Sequence, residues 1–134
     1  MNDAELEQRL RAEGWPLERI DATTWGSGFQ TKSGGEGFRF YIRRTANWIY
    51  LTIVPFMAIP ENLSEGVELS LLRRLLVLNR DITLAKLALE RRDVVLTVEL
   101  PTENLSWSQV KDGLDALTLY ASRHHAELVK LVLP

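Results

Sequence analysis

His124 and His125 are the only histidines of the chain, and their imidazoles suit the role of metal ligand or general base. Neighbouring helix positions point about 100° apart, so these two side chains cannot bind one ion as an i, i+4 pair does. Ser122 is the nearest candidate nucleophile, but it lacks the elbow motif of a serine hydrolase and a third group that would orient a base. His124 is therefore expected to pack in a helix seam, and neither metal-binding nor catalytic residues are predicted.

Glycine and serine are concentrated in two short runs, Gly26-Ser27-Gly28 and Ser33-Gly34-Gly35-Glu36-Gly37, which are candidates for a phosphate-binding loop. A P-loop ends in Gly-Lys-Ser or Gly-Lys-Thr and opens a helix, and neither run does so. The pattern favours a flexible hairpin loop instead. Three carboxylates, on Asp112, Asp115 and Glu127, are expected to be solvated on the polar side of a helix, so no cofactor is predicted.

Aromatic and basic side chains share one side of two predicted strands, a combination that protein interfaces favour. The members of this set are Arg39, Tyr41, Arg43, Trp48 and Tyr50. An unidentified protein partner is the predicted ligand. Single-stranded RNA is the alternative, with bases stacked on the aromatic rings and phosphates at the arginines. Half-burial in the core or cover by a helix would also account for the set.

The segment around residues 67–80 has the spacing of a helix that is apolar over more than half of its circumference. The stripe expected to face the sheet consists of Val67, Leu71, Leu75 and Leu78. Leu69, Leu72 and Leu76 lie roughly 120° further round, beyond the width of about 100° that packing on one sheet requires. Another helix of the same chain or a second subunit must cover them, and a homodimer is predicted on this basis.

The period of the sequence then changes from helical to alternating, which predicts a β-hairpin with Arg91 and Arg92 at its tip. The apolar set determines the register, because a slip of one residue would exchange the two faces. The expected pairs on the buried side are Leu89 with Val94, Leu87 with Leu96, and Ala85 with Val98, and those on a side that tolerates water include Ala88 with Val95 and Lys86 with Thr97. Since two arginines are a poor type I′ turn, a loose four-residue loop is expected.

The other elements follow from caps and alternation. The first helix is predicted to begin with a capping box of Asn2 and Glu5 and to end at Gly14. The central helix is capped by Asn62 or Ser64, and a long last helix begins with a capping box of Ser106 and Gln109. Strands are predicted over Leu17 to Trp25, Phe29 to Lys32, Phe38 to Arg43 and Trp48 to Phe56, with Pro55 and Pro60 ending the sheet. The fold class is α+β: helix, three-to-four-stranded antiparallel meander, helix, β-hairpin, long C-terminal helix.

Length and composition set further bounds. A chain of 134 residues and 15.3 kDa is expected to form a single domain over residues 1–134. The absence of cysteine excludes disulfides and thiolate chemistry, and the net charge of −2 with a pI near 5.7 disfavours nucleic acid as a partner. No apolar run of about 18 residues is present and the first residues are charged, so a cytoplasmic protein without a membrane segment is predicted.

The segment LLRRLLVLNRDITLAKLALERRDVVLTVELPTENLSWSQVKDGLDALTLYASRHHAEL resembles the YbjN-type domain family, over roughly Gly66 to Leu131. The residues that carry the resemblance are Leu78-Asn79, Lys86-Leu87-Ala88, Glu99-Leu100-Pro101 and Leu105-Ser106. That family has a fold similar to class I type III secretion chaperones, which are small acidic homodimers that hold an unfolded segment of a partner. The resemblance implies a non-enzymatic, dimeric binding domain, and the family offers no catalytic residues to transfer.

Overall fold

The computed structural model describes residues 1–31, 35 and 37–133, and within them the strands form one sheet. The elements are α1 (Asp3–Ala12), β1 (Glu18–Asp21), β2 (Thr24–Gln30), β3 (Gly37–Arg44), β4 (Trp48–Ala58), α2 (Glu65–Asp81), β5 (Ala85–Glu90), β6 (Asp93–Pro101) and α3 (Trp107–Val132). All pairings are antiparallel, and the strand order is β1-β2-β3-β4-β6-β5. The predicted α+β fold and element order are confirmed, with four strands ahead of α2.

A row of fully buried side chains crosses the sheet on the face that the helices cover. Its members, from β2 through β3 and β4 to β6, are Trp25, Ile42, Leu51 and Val98. The helices contribute Leu6 and Leu10 from α1, Leu71, Leu75 and Leu78 from α2, and Val110, Leu114 and Leu117 from α3. Burying each such leucine or isoleucine contributes about 1.5–3 kcal/mol, so this face is the main source of stability.

The central axis of the packing is α3, and Gly113 determines how closely that helix approaches the sheet. A Cβ at this position would lie 3.1 Å from side-chain atoms of both Leu51 and Val98. The backbone of α3 therefore rests almost directly on β4 and β6. Ser106 caps the helix and forms the predicted capping box with Gln109.

The β5–β6 hairpin has the predicted register, but its ends differ from the prediction. The pairs on the core side are Ala85 with Val98, Leu87 with Leu96 and Leu89 with Val94. Glu90 pairs with Asp93, so the tip is a tight two-residue turn in which Arg91 has φ 58°, and the expected loose loop is wrong. Leu89 is exposed rather than buried, because it lies at the end of an outer strand.

Three boundaries in the first half of the chain also differ from prediction. The expected strand over Leu17 to Trp25 is two strands, because the Asp21 carboxylate accepts a hydrogen bond from the Thr23 N–H at 2.9 Å and turns the chain. The Gly26-Ser27-Gly28 run lies inside β2 rather than in a loop, and β2 replaces the expected strand over Phe29 to Lys32. Most of the second glycine run, residues 33, 34 and 36, lies outside the described residues, as does Lys32.

Proline does not end β4 as predicted. The strand continues through Pro55 to Ala58, and its register against β6 shifts between Ile53 and Met57. The shift removes Pro55 from the regular ladder, where its missing N–H would cost a hydrogen bond. Ser64, rather than Asn62, caps the central helix.

A polar network attaches α1 to the first hairpin. The indole Nε1 of Trp25 donates a hydrogen bond to Glu7 Oε1 at 2.7 Å, and Arg19 reaches the same oxygen at 2.9 Å while its guanidinium lies 4.3 Å from the Trp25 ring. Arg44 pairs with Asp3 at 2.9 Å. The Trp25 hydrogen bond, followed by the Arg19 contacts, holds the pKa of the Glu7 carboxyl below its ordinary value.

Side chains replace a missing neighbour strand along the outer edge of β5. The N–H of Leu87 donates to Asn79 Oδ1 at 2.7 Å, and Asn79 Nδ2 donates to the Leu87 carbonyl at 2.8 Å. The N–H of Thr83 donates to the Tyr120 hydroxyl at 2.9 Å. The amide of Asn79 thus pairs with both backbone groups of Leu87 as a strand would, which protects this edge from pairing with another chain.

Acid should weaken the attachment of α1 through Glu7. A carboxyl whose pKa is lower in the folded than in the unfolded protein stabilises the fold at pH values above its unfolded pKa of 4.5. That stabilisation disappears as the pH falls through the lower pKa of the folded protein. Thermal unfolding followed by circular dichroism from pH 7 to pH 3 should therefore show a smaller loss of Tm for Glu7→Gln than for the native chain. Glu5→Gln, on the same helix, is the control and should follow the native curve. A Glu7→Gln curve parallel to the native one contradicts the assignment.

Removal of the Asn79 side chain should destabilise the fold. Asn79→Ala leaves two partly buried backbone groups of Leu87 without their partner, which costs about 1–3 kcal/mol of unfolding free energy. Urea denaturation measures the change. The control Asn62→Ala alters an exposed asparagine and should stay within about 0.5 kcal/mol of the native value. Equal effects of the two substitutions would show that Asn79 does not hold the edge.

Candidate functional site

The face of the sheet opposite the helices is the candidate functional surface, here called the open face. Successive residues of a strand point to opposite sides, so the residues between the buried positions of β3, β4 and β6 share this face. They are Arg39, Tyr41, Arg43, Trp48, Tyr50, Thr52, Val54, Val95, Thr97 and Glu99. They take no part in the core cluster to which the helices contribute, and among the described residues no helix covers them.

Tyr41 and Tyr50 form the centre of the open face. In the β3–β4 ladder Tyr41 lies opposite Thr52, and Arg43 lies opposite Tyr50. A groove of about 380 Å³ runs along these residues, lined by Thr24, Tyr41, Arg43, Thr45, Tyr50, Thr52, Val54 and Glu90. The aromatic and basic residues that the sequence singles out are therefore brought together, although whether they bind a partner stays a prediction.

Trp48 and Arg39 flank the groove, but Trp48 is exposed to solvent whereas Arg39 is held in an ion pair. Trp48 is 42% exposed at the start of β4, opposite Pro101. Arg39 donates to Glu18 Oε2 at 2.7 Å, and its guanidinium lies 5.6 Å from the Tyr41 ring centroid. The hydrogen bond with Glu18, and then that with Tyr41, raises the pKa of Arg39 above its ordinary value. The charge of Arg39 is thus already paired within the chain.

The part of the open face on β6 is less exposed to solvent than predicted. The hairpin pattern predicts Val95 and Thr97 on a side that tolerates water, yet these residues are only 6% and 7% exposed. β6 lies between β4 and β5, and the Thr97 hydroxyl shares a hydrogen bond of 2.7 Å with that of Thr52. Neighbouring strands on both sides shield this strand without help from a helix.

The second candidate surface is the side of α2 that faces away from the core. Leu69 is 51% exposed, Leu76 is 71% exposed, and Val77, which the sequence analysis did not single out, is also exposed. Leu72 is half-buried and packs against the core cluster. Of the three leucines predicted to contact a second subunit, Leu76 is largely exposed, Leu69 is about half exposed, and Leu72 packs partly against its own core. Together with Val77 they form the α2 patch.

The two histidines have structural partners. His124 stacks on Tyr120 and has Nδ1 3.5 Å from Glu127 Oε1, whereas His125 meets the rings of Phe38 and Phe56 edge-on. Within the described residues no group of three or more His, Cys, Asp or Glu side chains is arranged to hold a metal ion.

The sequence pattern predicts that Glu127 is only solvated, and this prediction is wrong. Its carboxylate forms an ion pair of 2.8 Å with Arg74, which connects α3 to α2. The two residues are 53 positions apart, so helix periodicity could not reveal the pair. Asp115 pairs with Lys111 at 3.2 Å on the surface of α3.

Comparison with known structures identifies the class of fold. A chain of the solved structure of the heterodimeric ExoU–SpcU complex, from the type III secretion system of Pseudomonas aeruginosa, aligns with a TM-score of 0.60 and 23% identity. The alignment covers 96% of this chain and 98% of that chain. The fold is therefore type III secretion chaperone-like, as the resemblance to the YbjN-type family implies.

Comparisons at the level of sequence add no family. No protein-family model matches the chain, and no curated protein sequence matches it. Among the helices of the described residues, none combines the length and apolar character that crossing a membrane requires.

Proposed function

We propose that this chain is a non-enzymatic, chaperone-like module that holds a segment of another protein on the open face. The observation that carries the proposal is one-sided packing: the helices cover one face of a six-stranded sheet and leave Tyr41, Trp48 and Tyr50 uncovered on the other. Aromatic groups that a chain does not use for its own core are suited to bury a partner's apolar side chains. The structural neighbour supports this function, because it belongs to a complex of two different proteins.

The charges of the open face favour a protein segment over RNA. Arg39 is paired with Glu18 and Lys86 with Glu99, both at 2.7 Å, so Arg43 is the one cation of this face, among the described residues, that forms no ion pair. The chain as a whole carries a net charge of −2. RNA binding draws most of its affinity from unpaired cations, whereas a protein segment gains affinity from apolar contact with the rings.

We also infer that the chain self-associates through the α2 patch and is a member of the YbjN-type family. Leu69, Leu76 and Val77 form an apolar strip on a helix that is otherwise integrated into the fold, and a second copy of α2 offers a self-complementary cover. A stable dimer buries about 800 Å² on each subunit, so the neighbouring surface of α2 must take part as well. Family membership rests on the residue pattern that includes Leu78-Asn79, whose asparagine protects the edge of β5.

Photo-crosslinking in the native host tests the proposed function. We expect p-benzoylphenylalanine in place of Trp48 to give crosslinks to one or a few proteins, because this ring is exposed beside the groove. The same group at Ser122, an exposed position of α3, is the matched control and should not give these products. Mass spectrometry identifies the products.

Three results would count against a protein-binding open face. Adducts removed by ribonuclease but not by protease would indicate RNA instead. Identical products at positions 48 and 122 would indicate random collision. Complete absence of adducts at position 48, together with normal folding by circular dichroism, would mean that the open face holds no partner.

The α2 patch is tested by a single charge. Leu76→Glu should convert a dimer to a monomer of about 15 kDa in light scattering. Because the Leu76 side chain is largely exposed, the free energy of unfolding of the monomer should change by less than about 0.5 kcal/mol. The control is Leu119→Glu, which changes a leucine of α3 that is 47% exposed, and this variant should remain dimeric. A native chain that is monomeric at all concentrations, or a Leu76→Glu variant that stays dimeric, contradicts this interface.

A further inference from the structure

The groove on the open face carries charges of opposite sign at its two ends. Arg43 lies at the end formed by β3 and the start of β4, opposite Tyr50. Glu90 lies at the other end, where β5 meets the hairpin turn, and its row of the sheet continues through Asp93 to Ala58. Along β4 the row of Arg43 and the row of Glu90 are eight residues apart, from Tyr50 to Ala58, with a register shift between Ile53 and Met57. The two charges are thus well separated along the groove.

Among the described residues, Arg43 and Glu90 differ from Arg39 and Lys86 because they form no ion pair, and the half-buried Asp93 beside Glu90 forms none either. Arg39 is paired with Glu18 and Lys86 with Glu99, both at 2.7 Å. Within the described residues, Arg43 has no carboxylate and Glu90 has no cationic group within 4.0 Å. Both side chains are exposed at the rim of the groove rather than buried in its floor.

The position of Glu90 is also unfavourable for folding. Glu90 and Asp93 are cross-strand partners, and like charges placed directly opposite each other destabilise a sheet. A local cost without a compensating contact in the same chain is typical of residues that serve binding. A basic side chain of a bound segment would relieve the repulsion, and an acidic side chain would neutralise Arg43.

We propose that the groove accepts a protein segment in one direction only, with an acidic side chain at Arg43, apolar side chains over Tyr41 and Tyr50, and a basic side chain at Glu90. This inference rests on the proposed function of the open face and adds the chemistry of the segment. Reversal of the segment would bring like charges together at both ends, so charge selects the direction while the rings provide affinity. Arg43 and Glu90 are specificity residues of the groove.

Selection from a displayed library of random 16-residue peptides tests the inference. The native chain should enrich peptides with apolar residues between an acidic residue at one end and a basic residue at the other. Arg43→Glu should change the acidic preference to a basic one, and Glu90→Lys should change the basic preference to an acidic one. Arg73→Glu and Glu103→Lys, exposed charges outside the groove lining, are matched controls and should select the native pattern.

Titration of one enriched peptide, followed by fluorescence anisotropy, gives the magnitude. Arg43→Gln and Glu90→Gln should each weaken binding about fivefold, the factor expected for a partly exposed ion pair, and added salt should reduce the difference. Tyr50→Ala should weaken binding of every enriched peptide. Circular dichroism verifies that each variant is folded.

The outcomes separate the inference from the proposed function. Enriched peptides that require Tyr50 but ignore every charge variant overturn the directional groove and leave a protein-binding face. Failure to enrich any peptide that depends on Tyr50 overturns both proposals. Exchange of charge preference by Arg43→Glu and Glu90→Lys, with unchanged selection by the two controls, establishes the direction.

Discussion

Packing of the helices against a single face of the sheet is the interaction on which the other features of the molecule depend. The buried row from Trp25 to Val98 lies under α1 and α3, and Gly113 allows α3 to approach β4 and β6 closely. Because the helices are committed to this face, the other face must be stabilised by contacts between strands alone. Shielding by neighbouring strands and paired charges achieves this, and the half-buried central tyrosines line the groove.

The edges of the sheet are subject to a related constraint, since an outer strand presents unpaired backbone groups. On the β5 side the groups of Leu87 and Thr83 are satisfied by side chains of Asn79 and Tyr120, which belong to α2 and α3. The helices therefore serve the sheet in two ways, by covering its apolar face and by completing its hydrogen bonds. This arrangement also positions α2 beside the edge with its outer apolar strip facing outwards, which is what makes a helix-mediated dimer a natural proposal.

Sequence reasoning succeeded where one face of an element was clearly apolar. The β5–β6 register followed from alternation, because only one pairing keeps Leu87, Leu96 and Val98 together. It failed where a residue with a strong local preference was placed in an unexpected context. Gly26 and Gly28 occur within a paired strand, Pro55 is accommodated by a register shift, and Arg91 adopts a positive φ in a tight turn. In each case the neighbouring strand overrides the preference of the single residue.

The sequence by itself determined most of the residues that face the core, with Leu89 an exception, as well as the order of the elements and the collection of aromatic and basic residues on β3 and β4. These properties depend on periodicity, which is local. Only the tertiary structure decided which charges are paired. Arg39 pairs with Glu18, 21 positions away, and Arg74 pairs with Glu127, 53 positions away. Among the described residues, Arg43 and Glu90 form no ion pair. Such pairings depend on distances between separate elements, and no pattern within one element contains them.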